Sequence, residues 1–205
     1  MELRDALSQI AEIRSRVAAA ERFRGYRAGP VAVTGLLAVV AAAAQPLLVP
    51  NPTDEVSHYL WLWLSTAVLA AAVAGSGIWL RHSRTTDRLT KELTWLAVGQ
   101  FAPCLVAGAV VTVVLLRYAP QHAALLPGLW QVFFSLGVFA SFRLLPRAIA
   151  AVGVVYLLSG AVNLSLAAGP YAFAPLVMGL PFGLGQLLTA AVLYWNLERP
   201  RHEPA

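Results

Sequence analysis

The residues best equipped for chemistry lie close together on the chain. Asp54, Glu55 and His58 are three and four positions apart, so a helix places them on one turn. Two carboxylates and an imidazole are a metal-binding donor set. With His122 or Arg117 within hydrogen-bond reach they would also suit acid–base work. A plainer role competes, since carboxylates at a helix start are stabilised by the helix dipole. The pattern predicts Thr53 as N-cap, with Asp54 and Glu55 in the first turn. His82, Arg84 and Asp87 form a second polar cluster, read as a solvated loop. All four histidines, His58, His82, His122 and His202, fall in loops or at helix borders, and the methionines are Met1 and Met178. Buried haem ligation by such a set is not expected. No glycine-rich phosphate loop, CxxC pair or HExxH pattern occurs. Cys104 is alone, so no intrachain disulfide can form. No catalytic residue, metal or cofactor is therefore expected.

A second group is polar but uncharged. Gln45, Gln100, Gln131, Asn163 and Gln186 interrupt long apolar stretches, where a side-chain amide is costly unless paired. Most such groups tie helices together. Two places combine an amide with a helix-breaking proline and glycine: Gly99-Gln100-Phe101-Ala102-Pro103 and Pro181-Phe182-Gly183-Leu184-Gly185-Gln186. Proline removes a backbone donor and frees a carbonyl inside the helix. Gln100, Pro103, Asn163, Pro181 and Gln186 are thus the candidate ligand-binding residues, for a neutral or apolar solute held between the third and sixth apolar segments.

The elements that must position these residues are drawn by charge. Five stretches carry no charged side chain: Ala28–Thr53, Val56–Leu80, Leu93–Leu116, Tyr118–Phe142 and Ala148–Leu197. About 20 apolar residues cross a bilayer core, so the first four give one span each and the last gives two. The expected spans are 31–49, 56–80, 93–116, 129–145, 148–168 and 176–195, in an all-α integral membrane six-helix bundle. Charged residues make up 12% of the chain and hydrophobic ones 59%, as a protein without a soluble domain requires. Basic residues number six, four, two and two in the segments on one side, against Arg117 alone on the other. Such asymmetry marks the cytoplasmic face, so both termini are expected to be cytoplasmic. The net charge of +5 is then a topology signal, and no nucleic-acid partner is expected. Trp61, Trp63 and Trp130 are placed at the outer interface, and Trp79, Trp95 and Trp195 at the inner one. Ala42-Ala43-Ala44 before Gln45 resembles a signal cleavage site, but the charged region ahead of it is too long for a secretory leader; the first span is read as uncleaved.

Residues 1–27 read as a cytoplasmic amphipathic helix. Leu3, Leu7, Ile10, Ile13, Val17, Ala20 and Phe23 recur at helical steps on one face. That stripe can lie on the membrane, fold against the bundle, or dock on a partner protein through Leu3, Leu7, Ile10 and Val17. Residues 198–205 form a short polar tail.

Two internal symmetries compete. Spans three and six each end a three-span half, and interrupted helices at matching positions point to a transport site. Alternatively, Pro127, Phe134, Leu136 and Gly137 recur at the same spacing as Pro175, Phe182, Leu184 and Gly185, which suggests duplicated hairpins. Gly179 and Gly183 form a GxxxG pair, which permits close helix approach and leaves self-association open.

Glu21-Arg-Phe-Arg-Gly-Tyr-Arg27 and Gly179-Leu-Pro-Phe-Gly-Leu-Gly-Gln186, running into Tyr194-Trp-Asn-Leu-Glu-Arg199, resemble segments of multi-pass bacterial inner-membrane proteins. The resemblance implies membrane identity for the whole chain and carries no activity or site residue. The expected function is a non-catalytic inner-membrane component: a scaffold, sensor or regulatory subunit. Its partners would be the lipid bilayer, a cytoplasmic or membrane protein, and a second copy of the chain. The alternative is a carrier or channel for a neutral or apolar small solute.

Overall fold

The computed structural model describes residues 28–84, 88–141 and 148–195. The amphipathic segment, with Leu3, Leu7, Ile10 and Val17, and the C-terminal tail lie outside them. The described residues form six α-helices and no strand: α1 (Ala28–Leu48), α2 (Val56–Arg84), α3 (Arg88–Tyr118), α4 (Leu126–Ser141), α5 (Ile149–Ser165) and α6 (Pro175–Leu193). A short 3₁₀ segment, Pro120–Leu125, leads into α4. Five segments are long and apolar enough to cross a membrane: Ala28–Leu48, Val56–Leu80, Thr94–Tyr118, Pro120–Ser141 and Pro175–Leu193. The sixth helix, α5, has 17 residues and so runs about 25 Å at 1.5 Å per residue. It stops short of the expected Ala168 because Gly169-Pro170 follows, and proline disfavours helical backbone in the residue before it. The chain turns through residues 166–173 instead.

α2 begins at Val56, where the second span was expected to begin, but without the cap at Thr53 and the first turn at Asp54 and Glu55 that were expected. Pro52 to Asp54 form a turn in which the Asp54 and Glu55 amides donate to the Asn51 carbonyl, at 3.1 and 2.9 Å. Glu55 occupies the cap position, its carbonyl accepting from the Tyr59 amide at 3.1 Å. α3 begins at Arg88, five residues before the charge-free run, because charged residues at the border of an apolar segment can still wind as helix.

Backbone approach decides how the helices pack. α1 lies most extensively on α6, and α4 on α5. Both contacts depend on missing side chains. A Cβ at Gly179 would collide with that of Ala42, and one at Gly183 would stand 2.7 Å from Val39. The GxxxG face is therefore spent inside the chain, on α1. Across α4 and α5, Gly128 and Gly160 face each other; a Cβ on either would stand 2.9 Å from the other's carbonyl oxygen. Helices in hydrocarbon associate through such close packing, because lipid supplies no hydrophobic drive between them.

Two buried clusters result. One joins Ala38 and Ala41 of α1, Tyr59, Leu60 and Trp63 of α2, Phe173 of the turn before α6, and Met178 of α6. The other joins Val31, Val138, Ile149, Ala190 and Leu193, with Phe101 against it, and contains no α2 residue. From Leu64 to Leu80 no α2 residue is buried. Large apolar side chains such as Val68, Val113 and Leu176 stand exposed around the outside. A surface of that kind, on helices of this length, is built for lipid.

Candidate functional site

The interior polar residues resolve into separate arrangements. The most connected lies where α4, α5 and α6 meet. Pro181 has no amide hydrogen, so the Val177 carbonyl one turn earlier loses its helical partner. Gln131, wholly buried on α4, fills that vacancy: its Nε2 donates to the Val177 oxygen at 2.8 Å. Asn163 of α5 donates to the same oxygen at 3.1 Å and to Gln131 Oε1 at 2.9 Å. A carbonyl oxygen has two lone pairs, and both are used. The proline break is thus closed by two amides from two neighbouring helices.

A second arrangement ties α1, α2 and the turn before α6. Gln45, also fully buried, donates from Nε2 to the Phe173 carbonyl at 2.7 Å. Its Oε1 accepts from Trp63 Nε1 at 3.0 Å. Trp63 was expected as an interface anchor; it points inward, because its indole N–H finds an acceptor there and Tyr59 packs beside it. Trp130 does the same on α4, donating to Thr112 Oγ1 of α3 at 2.8 Å. Trp61, Trp79, Trp95 and Trp195 remain exposed, as interface anchors should.

Four rings occupy the middle of the bundle. Phe134 of α4 is the hub, with centroids 5.1 Å from Phe101 of α3, 4.7 Å from Tyr156 of α5 and 5.4 Å from Phe182 of α6. Its pairs with Phe101 and Phe182 are edge-on, a geometry aromatic pairs prefer, and its pair with Tyr156 is tilted. These rings lie across the route from α3 to α6 where the solute site was expected.

The proposed ligand residues are accordingly dispersed. Asn163 belongs to the Val177 clamp. Pro181 is buried and creates that clamp, while Pro103 is exposed. Gln186 lies beside the Tyr156 hydroxyl and against α1, where a Cβ at Gly35 would stand 3.1 Å from its own Cβ. Gln100 keeps a buried Oε1 with no hydrogen-bond partner. The hydroxyls of Tyr59 and Tyr156 share that condition.

The Asp54, Glu55, His58 group does not assemble into a centre. His58 Nδ1 is 3.8 Å from a Glu55 carboxylate oxygen, with both side chains largely exposed at 68% and 42%. Among the described residues, no three of His, Cys, Asp and Glu are grouped so as to hold a metal ion. His122 and Arg117 are exposed.

The residue that sequence reasoning passed over is Val177, since its contribution is a backbone carbonyl. Counting four residues back from Pro181 finds it. The aromatic cluster was also missed; Tyr156, the one tyrosine well inside a span, was its only signal.

Together, fold and interior define a multi-pass helical membrane protein in which the buried amides of Gln45, Gln131 and Asn163 join helix to helix. No protein-family model, curated protein or solved structure matches the chain.

Proposed function

We infer that this chain is a non-catalytic, six-span component of a bacterial inner membrane: a scaffold, sensor or regulatory subunit with both termini in the cytoplasm. It contacts a partner through the N-terminal stripe of Leu3, Leu7, Ile10 and Val17. The observation carrying this reading is that the interior amides of Gln45, Gln131 and Asn163 are spent on closing the bundle. An interior so used favours holding a partner over moving a solute or converting a substrate. The carrier alternative draws support from Gln100 alone, whose Oε1 is unspent. Against it, the rings of Phe101, Phe134 and Phe182 meet where its site would lie. Orientation rests on the basic residues crowding one set of loops.

The test is site-specific photo-crosslinking in cells from position 7 or 10, repeated with Leu3→Asp and Val17→Asp. A discrete protein adduct that these changes abolish supports the reading. No adduct, or one indifferent to the stripe, refutes it. Cysteine labelling in Cys104→Ala must also reach position 82 and the C-terminal tail from the same face.

A further inference from the structure

Antiparallel helices joined by a short loop are expected to pack side by side. α2 and α3 do not. Residues 85–87 alone separate Arg84 from Arg88, and a connection of that length spans at most about 14 Å. At the far end, Leu62 and Leu64 of α2 and Leu115 of α3 pack against the same buried cluster. The two helices are thus drawn together at both ends. Between the ends, among the described residues, they make no extended contact: α2 rests on α1, and α3 on α4.

The surfaces along this seam agree. No α2 residue from Leu64 to Leu80 is buried. Near the loop, α2 touches α1 where Gly77 lies against Pro30; a Cβ on the glycine would stand 2.9 Å from that ring. A Cβ at Gly75, or at Gly99 of α3, would meet nothing within 4 Å, so space beside both helices is open at that level. On α3, Gln100, Cys104, Ala107 and Val111 recur at helical steps and are half-buried, and the same strip leads to Leu115. Leu64 to Leu80 covers about 25 Å of helix, more than the depth of about 15 Å of one leaflet's hydrocarbon.

One end of the seam is basic. Trp79 and Trp95 stand exposed at 68% and 61%, one on each helix, and mark the interface level. Arg81 and Arg84 follow Trp79, while Arg88 and Lys91 precede Trp95. These four positions lie about 3–11 Å beyond the tryptophans along the helices, in and just past a headgroup layer about 5–8 Å thick. Four cations less Asp87 and Glu92 leave a net charge of +2. The α4–α5 loop is also basic, with Arg143 and Arg147, but there Gly128 and Gly160 bring the helices into contact and no seam opens. Charge and an unclosed seam coincide at α2 and α3.

We propose that the α2–α3 seam binds an acidic phospholipid. An acyl chain lies along α2 between Leu64 and Leu80, against the Ala107 strip of α3, and the anionic headgroup sits among Arg81, Arg84, Arg88 and Lys91. The site is independent of the partner-binding reading.

The test uses the full chain in liposomes containing phosphatidylglycerol or phosphatidylcholine with a diazirine in the acyl chain, at equal mole fraction. Adducts are mapped by peptide mass spectrometry. One basic residue near an anionic surface strengthens attraction about fivefold, so phosphatidylglycerol adducts on residues 64–80 and 100–111 are expected to exceed phosphatidylcholine adducts at least about fivefold. Arg84→Gln with Arg88→Gln should bring the two lipids to within about twofold there, while their ratio at Leu158 and Val162, exposed on α5, stays unchanged. Ala107→Phe, which fills the seam without touching the charges, should lower the seam adducts and leave those on α5, a check that the bundle still folds. Seam adducts with no preference between the lipids, a preference that survives the double charge variant, or adducts indifferent to Ala107→Phe each overturn the proposal.

Discussion

Replacing Gln131 by Leu tests the central claim about the interior, that a proline-opened carbonyl is closed by side chains. The substitution removes the 2.8 Å bond to Val177 and the 2.9 Å bond from Asn163, leaving Asn163 on the carbonyl at 3.1 Å. Hydrogen bonds between membrane helices average about 0.6 kcal/mol and reach about 1.7 kcal/mol. Losing two therefore costs about 1–3 kcal/mol, with every 1.4 kcal/mol shifting the unfolding constant about tenfold. The sharper test adds Pro181→Ala. Restoring an amide hydrogen at 181 gives Val177 its helical partner back, so Gln131 matters less. SDS-titration unfolding of the parent, the two single variants and the double variant yields the coupling directly. A coupling of at least about 0.5 kcal/mol is expected, the lower range for residues sharing a network. If the two changes add to within about 0.3 kcal/mol, as unconnected sites do, then Gln131 does not act through the carbonyl that Pro181 opens, and the reasoning fails.

Two further outcomes follow from the packing and the surface. Gly179→Leu forces α6 away from Ala42 of α1 and is expected to cost at least about 1–3 kcal/mol in the same unfolding assay, the range for overpacking; Leu180→Ala, on the exposed side, should change stability far less. Glu55→Gln removes an exposed carboxylate 3.8 Å from His58; as for other exposed ion pairs, the change should stay within about 1 kcal/mol, and a larger loss would show that the pair has a structural role.

The fold was legible where one physical rule acts alone. Charge-free runs locate the helices because every backbone polar group in hydrocarbon must be satisfied within the helix. Helix ends were less legible. Thr53 looked like a cap, yet the turn at Pro52 to Asp54 delays the helix to Val56. Among the candidate residues, the type of each amide was read correctly as costly and in need of partners, but not which partners it takes. Asn163 and Gln186 stood together in the expected solute site; one joins the Val177 clamp and the other lies beside Tyr156. Trp63 and Trp61 are two residues apart, equally aromatic and equally near a helix start. One is buried against Gln45 and the other faces outward.

By itself the sequence determined where the apolar helices lie and the crowding of basic residues into one set of loops; it pointed to six spans, where the described residues hold five segments long enough to cross a membrane and a shorter α5. Those properties are sums over neighbouring residues, and neighbours are all a sequence specifies. Tertiary structure decided that α1 lies on α6, that Gly179 and Gly183 are spent within the chain, that Gln131 answers Pro181, and that four rings fill the centre. Each of those depends on which face of one helix meets which face of another, and in hydrocarbon that choice is made by close fit and by the demand of every buried donor for an acceptor.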